Sequence, residues 1–184
     1  MPLVSCLTTC YRLIMTSPPL PQAEIERIAA GIRARVFEHT LSNNGGYLSQ
    51  ACSSAELLAC LYAGAARLAL PEQPVVPPAF TGVPSAGHPG SNGAAVHGER
   101  APELDRLIVS PAHYALVVYA ALIETGRLDE YALKEFNQDG STVEMIGAEH
   151  SPGFELTTGS LSQALSVAGG IALARRLKKE QGRT

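Results

Sequence analysis

Tryptophan is absent from this sequence of 184 residues, and aromatic residues together make up only 5% of it. A hydrophobic core therefore has to be built from Ala, Leu, Ile and Val. Charged residues amount to 17% against 46% hydrophobic residues, which excludes a disordered polyelectrolyte. No apolar run reaches the roughly 20 residues of a membrane-spanning helix, and the 14 basic residues form no stripe for nucleic acid. Composition thus indicates a soluble globular protein of about one domain, with no membrane and no nucleic-acid partner.

Cysteine is also scarce, with residues Cys6, Cys10, Cys52 and Cys60. Their spacing matches no zinc motif, and so few cysteines in a chain of this size favour a reducing cytoplasm over a disulfide framework. Residues 1–20 lack the basic start and the cleavage site of a signal peptide. We therefore expect a disordered or misassigned leader at 1–20 and a domain at 21–184.

Apolar residues at spacings of three and four predict a first helix from residue 21 to Ser42. The predicted buried face is Ile25, Ile28, Ala29, Ile32, Val36 and Phe37. Ser53 and Glu56 are spaced as a capping box and predict the start of a second helix. The apolar face expected for that helix is Leu57, Leu58, Leu61, Tyr62 and Ala65.

Residues 71–103 contain seven prolines and no periodicity, which predicts an irregular insert. Residues 104–109 are the one good strand candidate, and Ser110-Pro111 after them is typical of a helix start. Three further helices are predicted, from Pro111 to Gly126, at about 128–136 and from Ser160 to about 179. An irregular segment is predicted between the second and the third of them, up to Thr158. Since one strand cannot form a sheet, we expect its parallel neighbours outside this chain.

The five histidines differ in what their positions suggest. His39 is predicted to be a surface or satisfied core residue, and His88 and His97 to be solvated in the insert. His113 follows the predicted strand, where α/β sheets bind ligands. His150 lies beside a glutamate in an irregular segment, so a proton-transfer role and a plain loop role both stay open.

The segment TTGSLSQ at 157–163 opens the last predicted helix and could hold a phosphate on free backbone N–H groups, although an ordinary helix start is the more common meaning of such a segment. The Gly169-Gly170 pair inside this helix predicts a close packing contact.

Three segments, in order, carry a family resemblance. They are GGYLS at 45–49 with SAELL at 54–58, DRLIVSPAH at 105–113, and SPGFELTTGSLSQ at 151–163. Together they resemble the N-terminal, thiamine-diphosphate-binding region of transketolase, over about residues 22–180. The resemblance implies an α/β fold: a helix-rich partial thiamine-diphosphate-binding fold with an incomplete parallel sheet.

The resemblance also implies a role for four residues. His113 is expected near the diphosphate of the cofactor, Gly159 presents its backbone to the aminopyrimidine, and Leu161 packs against the cofactor rings. His150 is the expected catalytic residue, contacting the hydroxyl groups of the donor sugar. The implied reaction moves a two-carbon ketol unit between sugar phosphates or related aldehydes, with thiamine diphosphate and Mg²⁺ as cofactors.

Several departures from the family pattern suggest an unusual substrate. Ser42-Asn43-Asn44-Gly45 stands where the family has Gly-His-Pro-Gly, and Ser110-Pro111-Ala112-His113 replaces Ser-Lys-Gly-His. The Gly-His-Pro-Gly at 87–90 comes in the wrong order and is interpreted as coincidence. The Gly-Asp-Gly and Asn that hold Mg²⁺ in the family have no counterpart before Thr184. We therefore expect a chain truncated before its metal ligands and inactive in isolation.

Three hypotheses remain. The chain is the N-terminal part of a transketolase-type enzyme completed by a downstream half or subunit in a homo- or hetero-oligomer. Alternatively it is a non-catalytic remnant or helical interaction module, or it belongs to another thiamine-diphosphate enzyme.

Overall fold

The structure is a computed structural model that describes residues 21–43, 48–87 and 89–184. Its α-helices are α1 (Gln22–Asn43), α2 (Leu48–Cys60), α3 (Ala115–Glu124) and α4 (Gln163–Leu177). Short helical turns cover Leu61–Ala65, Gly93–His97, Ala112–Tyr114 and Glu130–Leu133. The predicted leader, most of the predicted turn after Ser42, and His88 lie outside the described residues. Among the described helices, none combines the length and apolarity needed to cross a membrane.

Helix α3 forms the centre of the hydrophobic core. Every residue from Ala115 to Ile123 is buried, as expected for a helix whose sequence is apolar on all sides. Helices α1 and α2 pack against α3 and against each other. The core of the described chain is thus a helical layer around α3.

Helix α1 confirms most of the predicted periodicity. Ile28, Ala29, Ile32 and Val36 are buried, whereas Phe37 is 51% exposed. The assignment of Phe37 to the buried face was wrong, because successive residues of a helix are rotated by about 100° and Phe37 turns away from the core.

Helix α2 begins at Leu48, ahead of the predicted capping box. The Ser53 and Ser54 hydroxyls donate instead to the carbonyl of Gln50, inside the helix. Leu57, predicted on the apolar face, is 63% exposed, while Leu58 is buried. The capping-box prediction was therefore wrong, since these serines satisfy a helix-interior carbonyl rather than free N–H groups.

The predicted strand at 104–109 is half-buried and irregular. The Asp105 N–H donates to the Arg67 carbonyl at 2.8 Å, and the Arg106 N–H donates to the Arg183 carbonyl at 2.8 Å. Pairing elsewhere in the described residues consists of isolated bridges, Val75 with Leu128 and Ala79 with Ser141. The described fold is thus helix-rich and contains no sheet. The parallel sheet stays a prediction.

The remaining boundaries differ from the predictions in detail. The turn Ala112–Tyr114 precedes α3, and no side chain caps either start, so Ser110 is not a helix cap. The helix predicted at about 128–136 is reduced to Glu130–Leu133, where the Asp129 carboxylate accepts from the Tyr131 N–H at 2.8 Å. A single helical turn, capped by Asp129, therefore forms where a longer helix was predicted.

Helix α4 begins at Gln163, after Ser162 in a left-handed conformation (φ 68°) with no side-chain cap. A Cβ atom added at Gly169 or Gly170 would meet no atom within 4 Å. The predicted close contact at this glycine pair is therefore wrong: both glycines face open space.

Candidate functional site

The candidate site is built on a loop from residue 144 to 162 that is bound to the N-terminal half of α3. The Gly147 N–H donates to the Ala112 carbonyl at 3.1 Å, which joins the loop to the turn that carries His113. The Tyr119 hydroxyl donates to the Glu144 carbonyl at 2.8 Å. Two elements predicted to contribute to the site, the turn at His113 and the loop, are therefore neighbours.

Glycine is required at one point where the loop meets α3. Gly153 has a φ of 86°, and a Cβ there would lie 2.8 Å from Val118 Cγ1 and 2.9 Å from Leu122 Cδ1. Next to it Phe154 is 1% exposed. The Pro-Gly of the predicted segment thus allows the loop backbone to lie directly on α3.

Hydrogen bonds within the loop, and one to Gly93 outside it, hold the rest of the loop. The Ala148 N–H donates to Ser151 Oγ at 3.1 Å, and the Glu149 N–H donates to Thr157 Oγ1 at 3.0 Å. The Gly153 N–H donates to the Gly93 carbonyl at 2.8 Å. Hydrogen bonds of backbone and hydroxyl groups therefore define the loop conformation as far as Thr157.

Glu155 is a buried carboxylate that no sequence pattern marks as part of the site. Its side chain is 3% exposed and its Oε2 accepts from Arg106 Nε at 2.6 Å and from the Arg100 guanidinium at 3.1 Å. A buried carboxylate needs such partners because desolvation is costly for an unpaired charge. The pairing links the loop to residues 100–106, and no sequence pattern indicates which arginines supply it.

His150 is largely buried, with a side chain 14% exposed. Its Nε2 lies 3.1 Å from Glu144 Oε1, a charge contact whose geometry is not that of a hydrogen bond, and its ring centroid lies 4.7 Å from that of Phe80. Neither neighbour is indicated by the sequence around His150. A histidine beside a carboxylate can hold or move a proton.

The three predicted cofactor residues are accessible. His113 and Gly159 are exposed, and Leu161 is 74% exposed. A Cβ added at Gly159 would meet nothing within 4 Å, so its backbone can be approached closely. The hydrogen bonds and ion pairs of the described residues do not directly connect His150 to Gly159 or Leu161. The loop itself, closed by the hydrogen bond from the Glu149 N–H to Thr157 Oγ1, brings these residues into one region.

His97 corrects a prediction, because it is 7% exposed rather than solvated. The Tyr62 hydroxyl lies 3.2 Å from His97 Nε2, and Arg127 donates to the Val96 carbonyl at 3.2 Å. Burial, together with the positive charges of Arg127 and Arg100, lowers the pKa of His97 to about 4. Tyr62 is one of the residues that surround His97 in the folded chain, and the local sequence does not indicate this tertiary contact.

A cavity of about 250 Å³ lies beside this cluster and is lined by His97, Arg100, Arg106, Glu155 and Arg175 among others. It is smaller than most ligand pockets, which measure about 300–1,000 Å³. Its lining charges also pair with one another, so it does not offer a cofactor site.

Metal ligands were predicted to lie outside this chain. Within the described residues, no group of three or more His, Cys, Asp or Glu side chains could hold a metal ion. Cys52 is exposed and Cys60 half-buried, and both are free thiols.

Comparison with known proteins shows a family match for about half of the chain. The family described as transketolase, thiamine diphosphate binding domain, matches residues 94–183. An uncharacterized transketolase family protein of Sinorhizobium fredii is 43% identical over 75 residues, covering 40% of this chain and 27% of that protein. Residues 94–183 therefore match the thiamine-diphosphate-binding domain family of transketolases, which confirms the resemblance for this part of the chain.

Transketolases themselves are also similar to part of this chain. The transketolase of Cereibacter sphaeroides is 35% identical over 80 residues, or 42% of this chain and 12% of the enzyme. That of Staphylococcus aureus is 39% identical over 71 residues, or 38% of this chain and 11% of the enzyme. The matched part of this chain thus spans about a quarter or less of the length of these relatives.

Proposed function

We propose that this chain supplies part of the cofactor-binding surface of a transketolase-type enzyme in the cytoplasm. The enzyme would transfer a two-carbon ketol unit between sugar phosphates or related aldehydes. One observation carries the proposal: the loop that matches the family is held firmly on α3, yet Gly159 and Leu161 at its end remain exposed. When bound, thiamine diphosphate supplies the carbanion chemistry that this transfer requires.

The residues present are compatible with the cofactor. Leu161 offers an apolar side chain for its rings, and Gly159 offers a backbone without steric obstruction. His113 at the exposed turn before α3 would approach the diphosphate. His150, paired with Glu144, would orient a sugar hydroxyl. We propose that the Mg²⁺ ligands come from other sequence of the assembled oligomeric enzyme, and that the isolated chain is inactive.

Cofactor binding can be tested on the isolated chain by heteronuclear NMR. Titration with thiamine diphosphate and Mg²⁺ should shift the amide signals of Gly159, Leu161 and the His113 turn, with weak affinity. Leu161→Ala should weaken the response. Leu70→Ala is the matched control, since Leu70 is 65% exposed but lies outside the site. An absence of shifts at these residues, or an equal effect of both substitutions, would contradict the proposal.

The substrate class needs a separate titration. With cofactor and Mg²⁺ present, fructose 6-phosphate should shift the imidazole signals of His150, and pyruvate should not. A response to pyruvate alone would favour the alternative of another thiamine-diphosphate enzyme. A response to neither compound would contradict the role proposed for His150.

One observation favours the second candidate, an interaction module. Helix α4 exposes most of its leucine side chains, including Leu165 at 74% and Leu177 at 75%. Contiguous apolar surface of this kind marks sites of association in soluble proteins.

A further inference from the structure

The irregular insert at 71–103 packs against the segment that follows α3. The Val75 N–H donates to the Arg127 carbonyl at 3.0 Å, and the Phe80 N–H donates to the Gly140 carbonyl at 2.7 Å. Because these two hydrogen bonds hold the backbone at nearby points, they fix where the Phe80 side chain leaves the insert. Phe80 is half-buried. Its ring therefore has a defined position, unlike the side chain of a free surface loop.

The Phe80 ring contacts the imidazole of His150. The two ring centroids lie 4.7 Å apart, and the ring planes are inclined at 45°. Paired aromatic rings in proteins lie about 4.5–7 Å apart, so this is a close pair. Glu144 is a second neighbour of the imidazole, with Oε1 3.1 Å from Nε2. The imidazole of His150 is thus contacted from two parts of the chain, the insert and the start of the candidate-site loop.

The insert also holds the loop backbone that carries His150. The Gly93 N–H donates to the Glu149 carbonyl at 2.8 Å. A Cβ atom at Gly93 would lie 2.0 Å from the Ser151 carbonyl oxygen, so the two backbones approach more closely than a residue with a Cβ atom permits. Both residues that flank His150 therefore contact the insert at Gly93, and these contacts fix the backbone from which the imidazole projects.

We propose that Phe80 is a positioning residue, which holds the imidazole of His150 in the orientation that contacts the donor sugar. The proposal rests on the function proposed above, in which His150 orients a sugar hydroxyl. A fixed backbone still leaves a side chain free to change its χ angles, whereas a ring packed against it selects one rotamer. Gly93 thus places the backbone of His150, and Phe80 sets the direction of its ring.

Heteronuclear NMR of the full chain without ligands tests the position of the imidazole. The ring current of Phe80 displaces the imidazole proton signals of His150, and Phe80→Leu should remove this displacement while an apolar side chain stays in place. Phe80→Met should act in the same way, whereas Phe80→Tyr keeps the ring and should keep the displacement. Val83→Ala is the matched control, since Val83 belongs to the same insert and is 75% exposed. Circular dichroism verifies that each variant is folded.

Titration with fructose 6-phosphate, with thiamine diphosphate and Mg²⁺ present, tests the consequence for the sugar. Phe80→Leu should raise the dissociation constant measured at the His150 signals by about three- to tenfold, because the freed imidazole has to be ordered on binding. Phe80→Tyr should retain the affinity. The amide signals of Gly159 and Leu161 should respond to the cofactor equally in all variants, since both residues are exposed and lie further along the loop.

The positioning role is overturned if Phe80→Leu leaves the ligand-free His150 signals in place, if Phe80→Tyr fails to keep them, or if Val83→Ala moves them equally. An equal sugar affinity in all variants also overturns it, while the function proposed for His150 stands. The opposite failure looks different. If the His150 signals of the unmodified chain do not respond to the sugar, the function proposed for His150 fails, and the positioning role is overturned with it even where Phe80→Leu moves the ligand-free signals.

Discussion

Helices α3 and α4 are both apolar helices, yet their environments are opposite. All nine residues from Ala115 to Ile123 in α3 are buried, while only Ala164 and Arg175 of α4 are. Helix α3 is held by side-chain packing on every side. Helix α4 is held largely by Arg175, which donates to the carbonyls of Pro102 and Leu104 at 3.2 and 2.6 Å. Apolar sequence therefore predicts a helix, but not whether this chain itself supplies the surface that covers it.

The largest expected effect contrasts one leucine from each helix. Leu122 in α3 is fully buried, so Leu122→Ala should lower the free energy of unfolding by about 3 kcal/mol through lost transfer energy and a cavity. Leu173→Ala in α4 should change it by less than about 0.5 kcal/mol at low chain concentration. Urea denaturation of both variants measures the difference. Equal losses would show that α4 is packed as firmly as α3.

A second test uses pH to weaken the buried region around α3. The folded pKa of His97 is about 4, against 6.5 for an ordinary histidine, so below pH 6.5 the unfolded chain binds a proton that the folded chain does not. Stability should therefore fall by about 2 kcal/mol between pH 7 and pH 5. Urea midpoints at the two pH values measure this loss.

The His97→Gln variant is the control for the pH effect. It should show a smaller loss between pH 7 and pH 5 than the unmodified chain. Burial also lowers the pKa of His39, so part of the dependence will remain. Asp105 does not contribute in this window. Burial alone would raise its pKa, but hydrogen bonds from Arg183 and Arg67 outweigh burial and hold it at about 2. An unchanged pH dependence in His97→Gln would contradict the assignment.

A third expected effect concerns the glycine where the loop meets α3. Gly153→Ala should destabilise the chain by about 1 to 2 kcal/mol, because alanine is strained at a φ of 86° and its Cβ would press on Val118 and Leu122. Thermal denaturation measures the shift. A neutral result would mean that the loop is not held against α3 as the structure shows.

The smallest expected effect is that of a substitution at Gly169 in α4, which serves as the comparison for Gly153. Gly169→Ala should stabilise the chain by about 0.5 to 1 kcal/mol, since alanine favours the helix and its Cβ enters open space. Thermal denaturation at low protein concentration measures this gain in stability. Destabilisation instead would indicate a close neighbour at this position.

Much of the helical framework was predictable, since it depends on local periodicity. The buried positions Ile28, Ile32 and Val36 of α1 followed from their spacing. The start of α2 did not, because the capping-box pattern at Ser53 is also compatible with a helix interior. Burial of His97 was unpredictable, since its neighbours in the folded chain include Tyr62, 35 positions earlier in the sequence.

The candidate site, like the helices, was predictable from the sequence only in part. The residues predicted from the family segment, His113, His150, Gly159 and Leu161, lie at or around one loop attached to α3. Their functional roles remain predictions. The pairing of Glu155 with Arg106 and Arg100 could not be predicted, because many arginines are available and only the folded chain selects among them.

By itself, the sequence determined the family resemblance of residues 94–183, most of the helices and the region of the candidate site. These depend on local spacing and on motifs that are contiguous in the chain. Only the tertiary structure decided which apolar helix is covered, which charges are paired and where glycine is required. Those outcomes depend on contacts between residues far apart in the chain, and local pattern does not encode the partner in such contacts.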